Sequence, residues 1–220
     1  MPHQVIIADD HPLVRGALRQ AVAQALADAA VVEASSLDEV VEILTAQGED
    51  AVDLLLLDLH MPGMQGFTGL FTVRAQFPAV PVVVVSASEE PSTMRRAVDY
   101  GAAGFVPKSA ALPQIAHAIG QVLAGNVWLP EGAAHAAPDD SADFARRLAA
   151  LTPQQLRVLA MLTEGKLNKQ IAYELSVSEA TIKAHVTAIL RKLGVNSRTQ
   201  AVIAAGKLAI EPPVPALDAR

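Results

Sequence analysis

Over its first 125 residues the chain alternates between two apolar patterns. Short unbroken runs recur at Val5-Ile6-Ile7-Ala8, Leu54-Leu55-Leu56-Leu57, Val82-Val83-Val84-Val85 and Gly104-Phe105-Val106, with a weaker one at Val31-Val32. Apolar runs without polar alternation predict strands buried on both faces. Between them the spacing turns helical. Val14, Ala17, Leu18, Ala21, Val22, Ala25 and Leu26 form one stripe at i, i+3, i+4, i+7 and i+8; Leu112, Ile115, Ala116, Ile119 and Leu123 form another. Such alternation of strand and helix predicts a parallel sheet with helices on both faces.

Further along, the pattern changes twice. Residues 131–145, with Gly132, His135, Pro138, Asp139-Asp140 and Ser141, show no period and predict a linker. From 151 to about 208 the pattern is helical throughout. Thr152-Pro153 opens a helix through Leu162, and Asn168 is placed to cap a second carrying Ile171, Ala172 and Leu175. Ser176-Val177-Ser178 makes a turn, Ser178 caps a third helix over 179–193, and a fourth runs from Ser197 to Leu208. Two helices joined by so tight a turn suggest a helix-turn-helix. The proline-rich tail from Glu211 cannot continue a helix and is expected to be disordered. The expected division is a first domain over 1–127, a linker over 128–148, a helical domain over 149–210 and a tail over 211–220.

Apolar residues make up 51 % of the chain, enough for two cores, and the absence of cysteine excludes disulfides and thiolate metal sites. The start, Met1-Pro2-His3-Gln4, shows no signal peptide, and the longest aliphatic run is far short of the ~20 residues a membrane helix needs. The expectation is a cytoplasmic protein without a membrane partner. Charge is distributed unevenly. Residues 1–130 hold 6 basic and 14 acidic side chains, whereas residues 151–220 hold 9 and 5. A basic piece behind an acidic one suggests two jobs, with nucleic acid as the partner of the basic one.

The polar residues that carry chemistry stand where the predicted strands end. Asp9 and Asp10 follow the first, Asp58 the third, Ser86 the fourth and Lys108 the fifth. Ligands of open α/β sheets bind outside those carboxyl ends. Each residue alone has a plainer role, as a helix cap, a turn aspartate or a solvated lysine. Together they describe one site. Three close carboxylates repel one another and need a cation, and an all-oxygen set favours Mg²⁺ or a similar hard ion such as Mn²⁺. A carboxylate can attack phosphorus to give an aspartyl phosphate, with a metal and a lysine neutralising the phosphoryl oxygens. Gly-rich nucleotide loops of the types GxGxxG and GxxxxGK[ST] are absent. The site suits a phosphoryl group rather than a nucleotide.

The string Asp9-Asp10, Asp58-Leu59-His60-Met61-Pro62-Gly63-Met64, Ser86-Ala87 and Phe105-Val106-Pro107-Lys108 resembles the receiver domain of two-component response regulators over residues 3–125. The resemblance implies a flavodoxin-like fold with strand order 2-1-3-4-5, and Asp58 accepting phosphate from a sensor histidine kinase. It implies Mg²⁺ held by Asp10, Asp58, Asp9 partly through water, and the backbone carbonyl of His60. Ser86 would be the switch hydroxyl, Phe105 the switch aromatic and Lys108 the phosphoryl-binding cation. Two positions depart from the common pattern: Ser109 stands where many receivers have proline, and Phe105 lacks a tyrosine hydroxyl.

In the third helix of the second domain, Ile182, Val186, Ile189, Leu190 and Leu193 form one face, and Lys183, Thr187 and Arg191 another. A helix with a cationic outer face fits the major groove. Asn168-Lys169-Gln170-Ile171-Ala172, Val177 to Val186 and Leu190-Arg191-Lys192-Leu193-Gly194 resemble the LuxR-type helix-turn-helix over 150–210. By that resemblance Lys183, Ala184 and Thr187 face bases, while Asn168, Lys169, Thr181, Arg191 and Lys192 face phosphates. Thr187 departs from the longer side chain of some relatives. The two halves together resemble the NarL/FixJ class. This implies a non-enzymatic transcriptional regulator that dimerises when phosphorylated and binds an inverted repeat, with RNA polymerase as a further candidate partner. The rival readings are a receiver that works without phosphate, and a phosphatase using Asp58 with His60 as its acid.

Overall fold

The computed structural model describes residues 2–62, 64, 66–133, 147–148 and 150–206. Most of the predicted linker, and the tail, lie outside the described residues. The first domain is a parallel sheet of β1 (Gln4–Ala8), β2 (Ala30–Ala34), β3 (Leu54–Asp58), β4 (Val82–Ser86) and β5 (Gly104–Pro107). Its order is β2-β1-β3-β4-β5. Around it run α1 (Pro12–Ala25), α2 (Leu37–Gln47), α3 (Thr68–Gln76), α4 (Pro91–Asp99) and α5 (Leu112–Leu123).

Why the strands read as unbroken apolar runs is plain from their two faces. Ile6, Leu55, Leu57 and Val84 face one cluster, packed under α2, α3 and α4. Val5, Ile7, Leu54, Leu56, Val83 and Val85 face the other, under α1 and α5. Each such side chain, taken fully out of water, stabilises the fold by about 1.5–3 kcal/mol. The weak run Val31-Val32 belongs to β2, an edge strand only partly buried. Of the predicted stripe of α1, Leu18, Ala21 and Val22 are buried and Val14 and Ala25 partly so, whereas Ala17 is exposed and Leu26 lies just past the helix. That of α5 is rotated: Ala118 and Val122 are buried with Ile115 and Ile119, whereas Ala116 and Leu123 lie at the margin.

The first domain runs past the expected boundary at residue 127. Trp128 donates its N–H to the Ala103 carbonyl at 3.1 Å, and its carbonyl accepts from Phe105 N–H at 3.1 Å. This segment covers the free edge of β5, which would otherwise expose unpaired backbone groups. Gly104 is small for the same reason, since a Cβ there would meet the Trp128 carbonyl at 3.0 Å. At the far end of the expected linker, Arg147 Nη1 donates to the Leu193 carbonyl at 3.0 Å, and Leu148 is buried.

The second domain comprises α6 (Pro153–Thr163), α7 (Asn168–Glu174), α8 (Glu179–Leu193) and α9 (Arg198–Gly206). α6 opens on a capping box: Thr152 Oγ1 accepts the Gln155 N–H and Gln155 Oε1 accepts the Thr152 N–H. Asn168 does not cap α7. It is the first helical residue, and the Leu167 N–H that precedes it is satisfied by Gln170 Oε1 at 2.7 Å. Ser178 caps α8 as expected, accepting from Thr181 N–H at 3.1 Å. Gly194 ends α8 in the left-handed region at φ 69°, where its N–H reaches the carbonyls of Leu190 and Arg191. The core of this domain, with Leu162, Ile171, Ile182 and Ile189, is continuous with that of the first domain. No helix among the described residues is long and apolar enough to cross a membrane.

Candidate functional site

The parallel sheet brings the predicted residues of the first domain to one end. Asp9 and Asp10 leave β1, Asp58 ends β3, Ser86 ends β4 and Lys108 follows β5. The register sets their neighbourhood, pairing Asp58 with Val85 and Ser86 with Pro107. A backbone bond from Lys108 N–H to the Ser86 carbonyl at 2.7 Å then directs the lysine inward.

The Lys108 ammonium joins two buried carboxylates, lying 2.7 Å from Asp9 Oδ2 and 2.8 Å from Asp58 Oδ2. The Asp58 contact is an aligned hydrogen bond, whereas Asp9 Oδ2 is held by charge with poor alignment. Burial pushes the Asp58 carboxyl above the usual carboxylate range, and the charge of Asp9 adds to the rise. The Lys108 ammonium and the His60 backbone N–H oppose it without cancelling it. For Lys108, burial works against the charged form, but its bonds to Asp58 and Asp9 outweigh that and raise its pKa. A more basic carboxylate is a better nucleophile when ionised, and the ammonium favours the ionised form.

Asp10 sits at the mouth of the pocket with 34 % of its side chain exposed. Its Oδ1 lies 2.7 Å from Nδ1 of His11, a neighbour absent from the expected set. Ligand atoms of Asp9, Asp10, His11 and Asp58 fall within 4.8 Å of one another. The adjacency of a histidine to Asp9-Asp10 was the only sequence signal for it. Asp58 Oδ1 is buried and accepts no hydrogen bond. Three carboxylates against one ammonium, with a buried oxygen left over, fit a hard divalent cation.

The remaining predicted residues are more peripheral. The Ser86 hydroxyl accepts from the Ser88 N–H at 3.2 Å within its own loop. Phe105 is fully buried in the cluster beneath α4. Ser109 donates to Glu89 Oε1 at 2.5 Å and so ties the loop after β5 to the loop after β4. The side chain of His60 has its Nε2 buried without a partner. No cis peptide occurs among the described residues, the Lys108-Ser109 bond included.

In the second domain, α8 buries Ile182, Ile189 and Leu193 and turns Lys183, Ala184, Thr187 and Arg191 outward. Among the described residues Lys183 pairs only with Glu179, one turn earlier at 3.0 Å, and it keeps 66 % of its side chain exposed. Thr187 donates to the Lys183 carbonyl at 2.9 Å. Lys169 is exposed on α7, and Thr181 is exposed beside the Ser178 hydroxyl. Two residues expected to face phosphates have internal partners instead. Lys192 reaches the Ala150 carbonyl at 2.6 Å and Gln155 Oε1 at 2.9 Å. Asn168 is half-buried and accepts from Arg198 at 3.4 Å. Arg198 was not foreseen; it clasps the turn before α7 through the Lys166 carbonyl at 2.5 Å.

A flavodoxin-like sheet with this pocket, joined to a helix-turn-helix, defines a class, and comparison with known families agrees. Residues 5–120 match the response regulator receiver domain, and residues 149–205 match the luxR family of bacterial regulatory proteins. The chain belongs to the response regulators of the NarL/FixJ class, DNA-binding regulators of transcription in two-component systems. Among its relatives is the glycerol metabolism activator of Pseudomonas putida, 44 % identical over 94 % of this chain and 96 % of that protein. The nitrate/nitrite response regulator protein NarL of Escherichia coli is 32 % identical over 92 % of this chain and 94 % of that protein. Among solved structures, one of two RcsB dimers bound to two parallel DNAs superposes with a TM-score of 0.54 at 26 % identity. It covers 94 % of this chain and 98 % of that chain.

Proposed function

We propose that Asp58 accepts a phosphoryl group from a sensor histidine kinase and that this controls dimerisation and promoter binding. The observation that carries the reading is the Lys108 ammonium held between buried Asp9 and Asp58 at the strand ends. An Asp58 carboxylate oxygen forms the new O–P bond while the P–N bond of the donor phosphohistidine breaks, its electron pair staying on the imidazole. Asp9, Asp10, Asp58 and the His60 carbonyl would hold Mg²⁺, which when bound supplies charge neutralisation for the phosphoryl oxygens. Lys108 exchanges its contact with Asp58 for a phosphoryl oxygen. The Ser86 hydroxyl leaves Ser88 to donate to another, and Phe105 repacks behind it.

The added charge of roughly −1.5 to −2 shifts the receiver between two states only as far as they bind it differently. In the second domain, Lys183, Ala184 and Thr187 are assigned to base edges, and Lys169, Thr181 and Arg191 to phosphates. Lys192 and Asn168 would first have to release Gln155 and Arg198. Two copies on one DNA raise affinity through effective concentration, and two-fold symmetry predicts an inverted repeat. A regulator that binds promoters would act in the cytoplasm. The test is DNA binding by wild type and Asp58→Asn with Mg²⁺ and a small phosphodonor. Wild type should gain affinity on phosphorylation and Asp58→Asn should not; equal responses would refute Asp58 as the switch.

A further inference from the structure

Asp9 and Asp10 stand on the turn from β1 into α1, and the backbone of that turn is held from two sides. The Asp9 N–H donates to the Ala34 carbonyl of β2 at 3.1 Å. The Asp9 carbonyl accepts from Arg15 Nη1 at 2.7 Å. Arg15 reaches back from α1 and is itself oriented, since its Nε donates to Glu33 Oε2 at 2.8 Å. Glu33, on β2, also pairs with Arg19. Arg15 and Glu33 keep only 17 % and 27 % of their side chains exposed. The guanidinium bonds a backbone carbonyl and Glu33, and neither bond goes to a pocket carboxylate.

That choice of partner has a geometric consequence. The peptide between Asp9 and Asp10 is planar, so fixing the Asp9 carbonyl fixes the Asp10 amide and the direction in which its side chain departs. On the other side of the same residue, Asp9 Oδ1 accepts the His11 N–H at 2.8 Å. Without Arg15 the Asp9 carbonyl loses this hydrogen bond, and the peptide is free to rotate. Rotation would carry Asp10 away from Asp9 and Asp58. An ion pair between α1 and β2 that did nothing more would contribute little. The bond from its guanidinium into the turn that bears two ligands is what separates Arg15 from that case.

We infer that Arg15, oriented by Glu33, is a positioning residue for the carboxylates of Asp9 and Asp10, a role that rests on their holding a divalent cation. Groups that orient metal ligands from behind typically cost 10–100-fold in metal affinity when removed. Arg15→Gln should therefore weaken Mg²⁺ binding about tenfold or more. Glu33→Gln should weaken it less, because Arg15 remains. Arg15→Lys should restore it only in part, because an ammonium has no rigid fork to span both partners.

The experiment is Mg²⁺ titration of the full-length protein without phosphodonor, read as the rise in melting temperature. Wild type, Arg15→Gln, Arg15→Lys and Glu33→Gln are compared. Support is a higher Mg²⁺ requirement in the order Arg15→Gln, Arg15→Lys, wild type, with Glu33→Gln also above wild type. Lower metal-free melting temperatures with unchanged Mg²⁺ affinity would mark a merely structural pair and overturn the inference alone. Should Arg15→Gln fail to fold, Glu33→Gln and Arg15→Lys decide by the same criterion. Absence of any Mg²⁺ response in wild type would overturn the metal reading of the pocket and the role of Arg15 with it.

Discussion

Lys108 holds the pocket together by countering two buried carboxylates at once. Removing one partner of a buried ion pair leaves the other uncompensated, at a cost of roughly 3–5 kcal/mol when burial is complete. Here Lys108 keeps partial contact with solvent, so Lys108→Met should destabilise the metal-free protein by about 1–3 kcal/mol in urea unfolding. Mg²⁺ should recover much of that loss, because a cation bound to the native state stabilises it by mass action. An unchanged deficit at saturating Mg²⁺ would contradict the assignment of the pocket as a cation site. Asp58→Asn keeps an acceptor for Lys108 while removing one charge. It should therefore leave the fold intact while weakening Mg²⁺ binding and abolishing the response to phosphodonor.

Among the elements, α2 offers a pH test away from the pocket. Ser36 caps this helix, accepting from Glu39 N–H at 3.3 Å, while Glu39 Oε2 accepts from Ser35 N–H at 2.7 Å. The Ser35 backbone and hydroxyl hold the Glu39 carboxyl below its ordinary value of 4.5. A carboxyl whose pKa is lower in the folded state stabilises above its unfolded pKa, and this is lost as pH falls through the folded one. Glu39→Gln should thus be less stable than wild type at neutral pH. The gap should close as pH falls from 4.5 through the lower, folded value. The recognition helix α8 carries a different prediction. Lys183→Ala should weaken binding to the specific site by about 1–3 kcal/mol if the side chain reads a base. Equal weakening on all sequences, with a shallower salt dependence, would reassign Lys183 to phosphate.

Across the whole molecule, the two domains share a core. α3 packs on α6, and a cavity of about 730 Å³ between them is lined by Leu37, Val41 and Phe71 on one side and Leu156, Leu159 and Val202 on the other. The second domain thus docks through its first helix, while the outer face of α8 remains exposed. Val41 is only partly buried. Val41→Glu should put a charge into this cleft without emptying either core. The expected result is a larger radius of gyration in solution scattering with unchanged circular dichroism. DNA binding by that variant should depend less on phosphodonor if the docked arrangement opposes dimerisation on DNA.

Much of this protein was legible in its residues because the strongest signals are local. Unbroken apolar runs announce strands buried on both faces, and a polar residue at the end of each run announces the pocket. The capping serine and the stripe of Ile182, Ile189 and Leu193 delimit α8 without any tertiary knowledge. What depended on tertiary structure was missed for a single reason: it joins residues distant in sequence. Trp128 belongs to the first domain only because the edge of β5 needs partners for Ala103 and Phe105. Lys192 looks like a free cation until α8 is laid against the turn before α6, where Ala150 and Gln155 take it. Arg15 reads as a surface residue of α1 until β2 brings Glu33 beside it and the β1 turn brings the Asp9 carbonyl. Sequence alone determined which elements form and which chemical groups stand at their ends, since both follow from periodicity and neighbouring residues. Tertiary structure decided which of those groups remain free to act, because hydrogen-bond partners are assigned only when the elements pack.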